Sequence, residues 1–375
     1  MLKKIKPDLH HLQTEDLPTD RDLSPVVIDR NYVQRQTSDA YEQACSLTAW
    51  QQLYDQLESG RFRGELTEIL FDGIQFYREY TNLSLRQSCM VWPGAFWFGI
   101  PGASGETGSI GRKTIGAREI AVCPGGKEFE LSTPNEYYIQ GVVLSHGALE
   151  KHASMFQNSE RMFEMLSGTS ALTVQSRKRE DISRYIQQTL AWYGQCEPDK
   201  RHHPQVGKVI SHNLMTSMVS MLEDAHPVAE DKAASRIGYE ALIRKARNYP
   251  FEQQSEPVTV LDLCNALKVS RRTLQNAFRQ TLGIGPNAWL KIIRLNAVRR
   301  ELISPYSQQK TVTDAAMQWG FWHLSQFAID YRRLFKENPS ETLNRRLGVR
   351  AAGIAGPRGC LGRRPEPAGA ALMRP

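Results

Sequence analysis

A group of basic and amide side chains occupies a short stretch near position 275 of this 375-residue chain. Arg271, Arg272, Gln275, Asn276 and Arg279 are spaced so that a helix would place them on one side. Arginine can bind the O6 and N7 atoms of guanine, and Gln or Asn can bracket adenine. A merely solvated basic helix face is the alternative interpretation. The elements that position these residues decide between the two.

The surrounding sequence contains an internal repeat, formed by residues 260–278 and 312–331. The two copies are 52 residues apart before a central turn and 53 residues apart after it, so the second turn is one residue longer. The aligned pairs are Cys264 with Ala316, Lys268 with Gly320, Leu274 with Phe327, and Phe278 with Tyr331. A repeat that resumes in register after a turn predicts two copies of one small structural unit.

The residue types at the aligned positions predict that this unit is a helix-turn-helix. Two closely packed helices need a small residue in the middle of the first helix, as Cys264 and Ala316 provide. Gly320 tolerates a tight turn, and Ser270 can cap the helix that follows it. The repeat therefore favours the nucleic-acid interpretation of the basic face over the solvated one.

The second copy has fewer donors, namely His323, Ser325, Gln326 and Arg332. We expect the first unit to carry most of the sequence discrimination. The second unit should contribute mainly backbone contacts, with packing on thymine methyl groups as an open addition. His323 could equally cap its helix.

The segment between the units, residues 286–304, is apolar around most of a helix. A helix of this kind is buried on several sides, so it should touch both units and hold them at a fixed separation. Two rigidly joined recognition helices can enter successive major-groove faces about 34 Å apart.

The charge divides unevenly along the chain. Residues 1–235 hold 24 Lys and Arg against 30 Asp and Glu, whereas residues 236–347 hold 18 against 9. A basic domain neutralises phosphates and releases counterions, so this division is typical of a two-part regulator. The predicted parts are a polar arm (1–34), an effector-sensing or dimerisation domain (35–225), a linker (226–235), a DNA-binding domain (236–347) and a disordered tail (348–375).

The N-terminal part has mixed character, which makes the whole chain α+β. Short β-prone pieces separated by Gly, Pro and Asn over 61–143 predict a small antiparallel barrel or sandwich, and we expect a cupin-like β-barrel with flanking helices. A short helical pattern covers about 36–57, and 146–225 is helical again. No apolar run is long enough for a membrane span and no signal peptide is apparent, so a cytoplasmic location is expected.

Catalytic and metal-ligating patterns are not found in the sequence. The six cysteines form no CxxC pair, and none of the nine histidines forms an HxH pair near the barrel. We therefore expect no catalytic residue, no metal and no enzyme activity. A cupin-type enzyme fused to a DNA-binding module is the rival interpretation, which a metal assay would separate.

The stretches VSRRTLQNAFRQTLGIGPNAWLKIIRLNAVRREL and AMQWGFWHLSQFAIDYRRLFKENPSETL resemble the AraC/XylS family of bacterial regulators. The resemblance covers 236–347 and implies binding to double-stranded DNA and contact with RNA polymerase. One departure is Lys336, where many relatives have the glycine found here at Gly283. This difference affects a helix end and does not threaten the fold.

Within that family, QRQTSDAYEQACSLTAWQQLYDQL, LRQSCMVWPGAFWFGIPG and PGGKEFELSTP resemble the regulators of ethanolamine utilisation. This resemblance implies a transcription activator that responds to ethanolamine together with adenosylcobalamin. A regulator of another metabolic operon with a different effector is the alternative. The residues themselves leave activation or repression open, and likewise the formation of a homodimer.

An ammonium ligand needs a carboxylate and aromatic faces for cation–π contact. Trp92, Trp97, Glu128 and Glu130 are therefore the candidate effector residues. Core aromatics and surface acids of a barrel are the alternative interpretation of the same four residues.

Overall fold

A computed structural model describes residues 31–71, 73–102, 107–111, 113–153, 159–201, 203–228, 238–239, 242–243, 245–246, 249, 258–304, 307 and 311–351. These residues form a sheet-rich N-terminal domain and an all-helical C-terminal domain. No helix in these ranges has the length and apolar character that crossing a bilayer requires.

The strands of the N-terminal domain belong to two antiparallel sheets. In chain order they are β1 Tyr32–Thr37, β2 Gln51–Gln56, β3 Gly64–Phe71, β4 Ile74–Thr81, β5 Leu85–Met90, β6 Ala95–Pro101, β7 Gly108–Ile110, β8 Lys113–Ile115, β9 Glu119–Pro124, β10 Glu128–Thr133, β11 Tyr137–Ser145, β12 Ala171–Thr173 and β13 His226–Pro227. The large sheet has the order β1-β3-β4-β11-β6-β9-β12-β13, and the small sheet has the order β2-β5-β10-β7-β8.

These two sheets correct the expectation of a closed barrel. Each strand order runs from one edge to another without returning, so the sheets are open and face each other as a sandwich. The cupin-like closure is not observed. Short β-prone segments with turn residues predict strands, but whether the edge strands pair is decided by contacts far apart in the chain.

The large sheet is buried on both faces, and its central strand β6 shows why. Trp97 points toward the small sheet, where it packs with Tyr77 and Phe129. Its neighbours Phe96 and Phe98 point to the opposite side, into a second core formed with helices. Because side chains alternate along a strand, a continuous apolar run such as β6 is suited to a sheet covered on both sides.

The helices of the N-terminal domain are α1 Ala40–Ala44, α2 His146–Ala153, α3 Ser159–Gly168, α4 Ser176–Gln195, α5 Pro198–Arg201 and α6 Pro204–Glu223. The helical pattern expected over about 36–57 is thus correct only for α1. Residues 51–56 are the strand β2, which pairs with β5. Pairing with a distant strand therefore overrides the local helical spacing there.

The ends of the predicted segments differ from the structure by a few residues. The last residues of the predicted polar arm belong to β1, which pairs with β3. The final helix continues to Ala351, past the predicted domain end at 347. The arm before residue 31, the tail after 351 and most of the predicted linker lie outside the described residues.

The helices of the C-terminal domain are α7 Val260–Leu267, α8 Arg271–Leu282, α9 Pro286–Ile303, α10 Val312–Gln318, α11 Leu324–Phe335 and α12 Pro339–Ala351. Helices α7 and α8 form the first helix-turn-helix, and α10 and α11 form the second. Helix α9 connects the two units.

Candidate nucleic-acid interface

The first helix of each unit begins with the same capping motif. Thr259 accepts a hydrogen bond from the Asp262 amide (3.2 Å), and Thr311 accepts one from the Asp314 amide (3.0 Å). Asp262 also accepts a hydrogen bond from the Thr259 amide (2.7 Å), and hydrogen bonds from Thr259 lower the pKa of the Asp262 carboxyl. The T-x-x-D pattern recurs in the sequence at the repeat distance of 52 residues. It is a further signal for the start of each first helix, beyond the aligned pairs given above.

The turns of the two units have matching geometry. Lys268 and Gly320 both adopt left-handed backbone, with φ of 53° and 78°. The next amide closes each turn: Val269 donates to the Cys264 carbonyl and Phe321 donates to the Ala316 carbonyl, each at 3.0 Å. The backbone conformation and the turn-closing hydrogen bonds therefore confirm the predicted alignment of the two units before the turn.

The second helices are held to the core by the predicted anchors. Leu274 and Phe278 of α8 are buried, as are Phe327 and Tyr331 of α11. Ser270 caps α8 by accepting a hydrogen bond from the Thr273 amide (3.1 Å), as predicted.

His323 occupies the corresponding position before α11, but its side chain makes no capping hydrogen bond to that described helix. Its ring is exposed. The capping role considered for His323 is thus not observed.

The anchors leave one face of each recognition helix toward solvent. All nine predicted DNA-contact residues lie there: Arg271, Arg272, Asn276, Arg279, His323, Ser325, Gln326 and Arg332 are exposed, and Gln275 is half-buried. Among the described residues, no carboxylate forms an ion pair with Arg271, Arg272, Arg279 or Arg332. Unpaired, solvent-facing guanidinium groups are available to bind an external anion.

The connecting helix α9 enters the cores of both units. Its first half contributes Trp289 and Ile293 to the core of the first unit. Its second half contributes Leu295, Val298 and Leu302 to the core of the second unit. The prediction that one apolar helix touches both units is confirmed.

A third face of α9 contacts the N-terminal domain, which the sequence analysis did not anticipate. Asn296 forms a reciprocal pair of hydrogen bonds with the backbone of Gln56, at 2.9 and 3.0 Å. Arg300 pairs with Asp55 at 2.6 Å. The sequence did hold a signal for this contact, because Asn296 and Arg300 are polar residues on a helix that is otherwise apolar on most sides. Such residues need hydrogen-bonding partners when they are buried.

Arg299 lies at the centre of this contact. It pairs with Asp39, which precedes α1, and with Glu337 at 2.8 Å. It also donates a hydrogen bond to the Tyr331 hydroxyl at 3.3 Å. Burial opposes the charge of Arg299, but Asp39, Tyr331 and Glu337 together raise the pKa of its guanidinium above the usual value.

The turn after β2 reaches the end of the second recognition helix. Gln56 Nε2 and the Gly60 amide both donate to the Leu334 carbonyl, at 3.2 and 2.9 Å. Ser59 donates its hydroxyl to the Arg333 carbonyl. Carbonyls at a helix C-terminus have no partner within the helix, so the N-terminal domain caps α11 directly.

The four candidate effector residues are not brought into one pocket. Trp97 is fully buried between the sheets, where it donates to the Tyr77 hydroxyl (3.0 Å) and stacks on Phe129. Glu128 and Glu130 lie on the opposite, outer face of β10, because side chains alternate along a strand.

The remaining contacts of these residues confirm that separation. Glu128 accepts a hydrogen bond from Ser88 (2.5 Å), and Glu130 pairs with the buried Arg86. The guanidinium of Arg86 lies 5.7 Å from the ring centre of Trp289 in α9. Trp92 is half-buried at the margin of the core between the sheets. Glu130 therefore lies beside the interdomain contact, away from the sandwich interior.

A small cavity of about 10 Å³, room for at most one water molecule, lies between the sheets at another place. The polar residues that line it are Ser109, Ser132, Thr133 and Tyr137. Burial raises the pKa of Tyr137 to about 12, which keeps its hydroxyl neutral. None of the described residues that line this cavity carries a carboxylate, and the cavity is too small for an organic effector.

No group of three or more potential metal ligands occurs among the described residues. Cys89, Cys123, Cys196 and Cys264 are free thiols.

Comparison with known proteins identifies the C-terminal domain. Residues 263–345 match the family model described as a helix-turn-helix domain. The chain is 31% identical over 141 residues to the probable thc operon regulatory protein of Rhodococcus erythropolis, covering 38% of this chain and 42% of that protein. It is 32% identical over 95 residues to the XylDLEGF operon transcriptional activator 1 of Pseudomonas putida, covering 25% of this chain and 29% of that protein.

A solved structure is also similar in sequence. The crystal structure of a probable AraC family transcriptional regulator from Rhodopseudomonas palustris CGA009 is 35% identical, with 28% of this chain and 97% of that chain covered and a TM-score of 0.26. The chain thus spans less than half the length of the two curated relatives. The C-terminal part of this chain, residues 263–345, is a helix-turn-helix domain.

Proposed function

We propose that this chain is a sequence-specific DNA-binding transcription regulator. The observation that carries the proposal is the pair of helix-turn-helix units with equivalent caps, turns and anchors, each turning an exposed polar face to solvent. Four arginines on those faces lack ion-pair partners among the described residues. Phosphate binding by such groups supplies affinity, and amide and guanidinium groups in the groove supply selectivity.

The division of work between the units follows from their side chains. In the first unit Arg272, Gln275 and Asn276 can read base edges through paired hydrogen bonds. In the second unit Arg332 is placed near the end of α11, which suits a phosphate contact. We infer that most selectivity by hydrogen bonding resides in α8.

The interdomain contact supports a route for control. Asp39, Asp55 and Gln56 of the N-terminal domain bind α9, the helix that sets the separation of the two units. A ligand that moves α1 or β2 would change those contacts and thereby the position of one recognition helix relative to the other. Conformational control of this kind needs only a difference in ligand affinity between the two arrangements.

The proposal also has a more specific part. It states that the chain activates transcription, contacts RNA polymerase, and responds to ethanolamine with adenosylcobalamin. Its support is the resemblance of the N-terminal sequence to the ethanolamine-utilisation regulators. The cavity between the sheets has room for at most one water molecule, so it accommodates neither a corrinoid nor ethanolamine as it stands. None of the described residues that line it carries a carboxylate for an ethanolammonium cation. A regulator of another operon, with a different small effector, is supported equally well.

Footprinting with the purified full-length chain tests the function. Duplexes from the regions upstream of neighbouring genes are probed alone, with ethanolamine, with adenosylcobalamin, and with both. We expect protection of two adjacent major-groove segments, and protection by Arg272→Ala only at a higher protein concentration. The function is wrong if the chain protects no segment at low salt.

The effector assignment has a separate outcome in the same experiment. If protection and transcription in vitro are unchanged by ethanolamine and adenosylcobalamin while the chain still binds its site, the ethanolamine assignment fails and the DNA-binding function remains. Transcription measured with purified RNA polymerase on the same duplex gives the sign of control.

A further inference from the structure

The second recognition unit presents large apolar side chains to solvent where the first presents polar ones. The exposed fraction of Trp322 is 65% and that of Ile329 is 54%. Exposed apolar side chains of this size near a recognition helix suggest a contact site.

Trp322 is the extra residue that makes the second turn longer. Phe321 closes its turn as Val269 does, and His323 precedes α11 as Ser270 precedes α8. Trp322 therefore has no counterpart in the first unit. The insertion places an indole at the start of the recognition helix, directed away from the core.

Ile329 has a counterpart of opposite chemistry. At the distance of 53 residues it aligns with Asn276, the residue suited to adenine, and Ala328 aligns with Gln275. These two aligned positions therefore carry amides in the first unit and apolar side chains in the second. Ile329 shares the exposed side of α11 with Gln326, and Trp322 is exposed in the turn two residues before that helix begins.

The charges around this apolar pair indicate what it contacts. Arg332, Arg333 and Lys336 follow on the same helix and are exposed. The carboxylate of Asp330 is buried and binds Lys291 at 3.2 Å. Two apolar side chains flanked by cationic ones are suited to binding a polyanion that also exposes small apolar groups. In the major groove of DNA the apolar feature of the base edges is the thymine C5-methyl group.

We propose that Trp322 and Ile329 recognise thymine methyl groups in the half-site bound by the second helix-turn-helix unit. This inference rests on the proposed DNA-binding function and assigns a distinct readout to α11. The first unit then selects bases by hydrogen bonding, and the second selects them by apolar contact. It predicts a binding site whose second half is defined by thymine.

The experiment compares thymine with deoxyuridine in an otherwise identical duplex. A binding site is first selected with the full-length chain from a random duplex library, and each thymine of the second half-site is then replaced singly. Uracil keeps the base pair and lacks only the methyl group. We expect the Kd of the wild-type chain to rise about fourfold at one or two positions, as expected for one buried methyl group.

The variants Trp322→Ala and Ile329→Ala should each bind the thymine and uracil duplexes equally at one of those positions. Leu261→Ala is the matched control, because Leu261 is exposed on α7 of the first unit and should leave the thymine preference unchanged. Ile329→Asn, which copies Asn276, should shift the preference at its position from thymine toward adenine. All three positions are exposed, so the four variants should unfold at the wild-type temperature.

The inference is overturned if the wild-type chain binds its selected site with the same Kd when every thymine of the second half-site is replaced. It is also overturned if Trp322→Ala and Ile329→Ala retain the thymine preference and instead reduce transcription, since the surface would then contact another protein. Both outcomes leave the DNA-binding function intact. That function fails only if the wild-type chain selects no duplex at all.

Discussion

The Asp39 carboxylate of the N-terminal domain forms a buried ion pair with Arg299 of the connecting helix. The two oxygens of Asp39 have different partners. Oδ1 caps α1 through the Tyr41 amide (2.7 Å), and Oδ2 binds the guanidinium of Arg299. The Asp39 side chain thus caps α1 in the N-terminal domain and neutralises the charge of Arg299 in the C-terminal domain. Arg299 lies on α9, the helix that positions both recognition units.

Replacement of Asp39 by Asn separates these two roles. Asn can still cap α1 but leaves Arg299 without one of its two carboxylates. Breaking a buried pair by removing one partner costs about 3–5 kcal/mol, and Glu337 remains, so we expect a loss near 3 kcal/mol in the free energy of unfolding. Urea titration monitored by circular dichroism measures it, and the two domains should then unfold in separate transitions.

Asp181→Asn is the control for that substitution. Asp181 pairs with Arg184 at 3.1 Å on the surface, where an ion pair contributes about 0–1 kcal/mol. If Asp39→Asn destabilises the protein no more than Asp181→Asn, the interdomain pair does not hold the domains together.

The nine DNA-facing residues should divide into two groups by their effect on binding. Changing Arg272 or Gln275 to Ala should cost about 1–3 kcal/mol at one base pair and relax the preference there. Changing Arg332 to Ala should weaken binding to every sequence alike and reduce the salt dependence by about one counterion. Gel-shift titrations on single-base variants at several salt concentrations separate the groups; equal losses on all sequences for both would contradict the division.

The end of the second recognition helix should be stabilised by glycine. Lys336 adopts left-handed backbone with φ of 57°, as Gly283 does at the end of α8 with φ of 70°. Left-handed backbone costs a residue with a Cβ about 1–2 kcal/mol, so Lys336→Gly should raise the free energy of unfolding by about 1 kcal/mol.

Lys336→Ala is the matched control, because alanine keeps the backbone cost and removes only the charge. Differential scanning calorimetry should therefore show a higher Tm for the glycine variant than for the alanine variant. Equal Tm values would mean that the left-handed turn is not strained.

The stability of the N-terminal domain should depend on pH through Glu79. Burial raises the pKa of this carboxyl from 4.5 to about 7, although Gln43 and Tyr54 donate hydrogen bonds to it. Between those values the folded protein retains a proton that the unfolded chain has released. Stability therefore falls as pH rises through this window, by about 3 kcal/mol.

Glu79→Gln should remove that part of the pH dependence, since the amide keeps the acceptor and does not ionise. Urea titrations at pH 5 and pH 7.5 measure the difference for the wild type and the variant. Glu150→Gln, at an exposed carboxylate, is the control. An unchanged difference in Glu79→Gln would show that Glu79 is ionised in the folded protein throughout.

Much of the recognition domain is predictable from the sequence because its contacts are local. The small residue at Ala316, the turn at Gly320 and the anchor at Phe327 act within some twenty residues of one another, and the repeat supplies each position twice. Some strands of the sandwich, such as β3 and β6, were predictable for the same reason, whereas β2 was expected to be helical. The closure of the strands into a barrel was not predictable, because whether an edge strand pairs depends on segments more than a hundred residues away.

The amino-acid sequence by itself determined the two recognition units, the helix joining them and the polar faces directed at DNA, since helical periodicity places those side chains whatever surrounds them. Only the tertiary structure decided that Asp39 meets Arg299, that Gln56 meets Asn296, and that Arg86 meets Trp289. Those contacts join residues separated by about 200 to 260 positions, and no local pattern encodes which buried charge will find which partner.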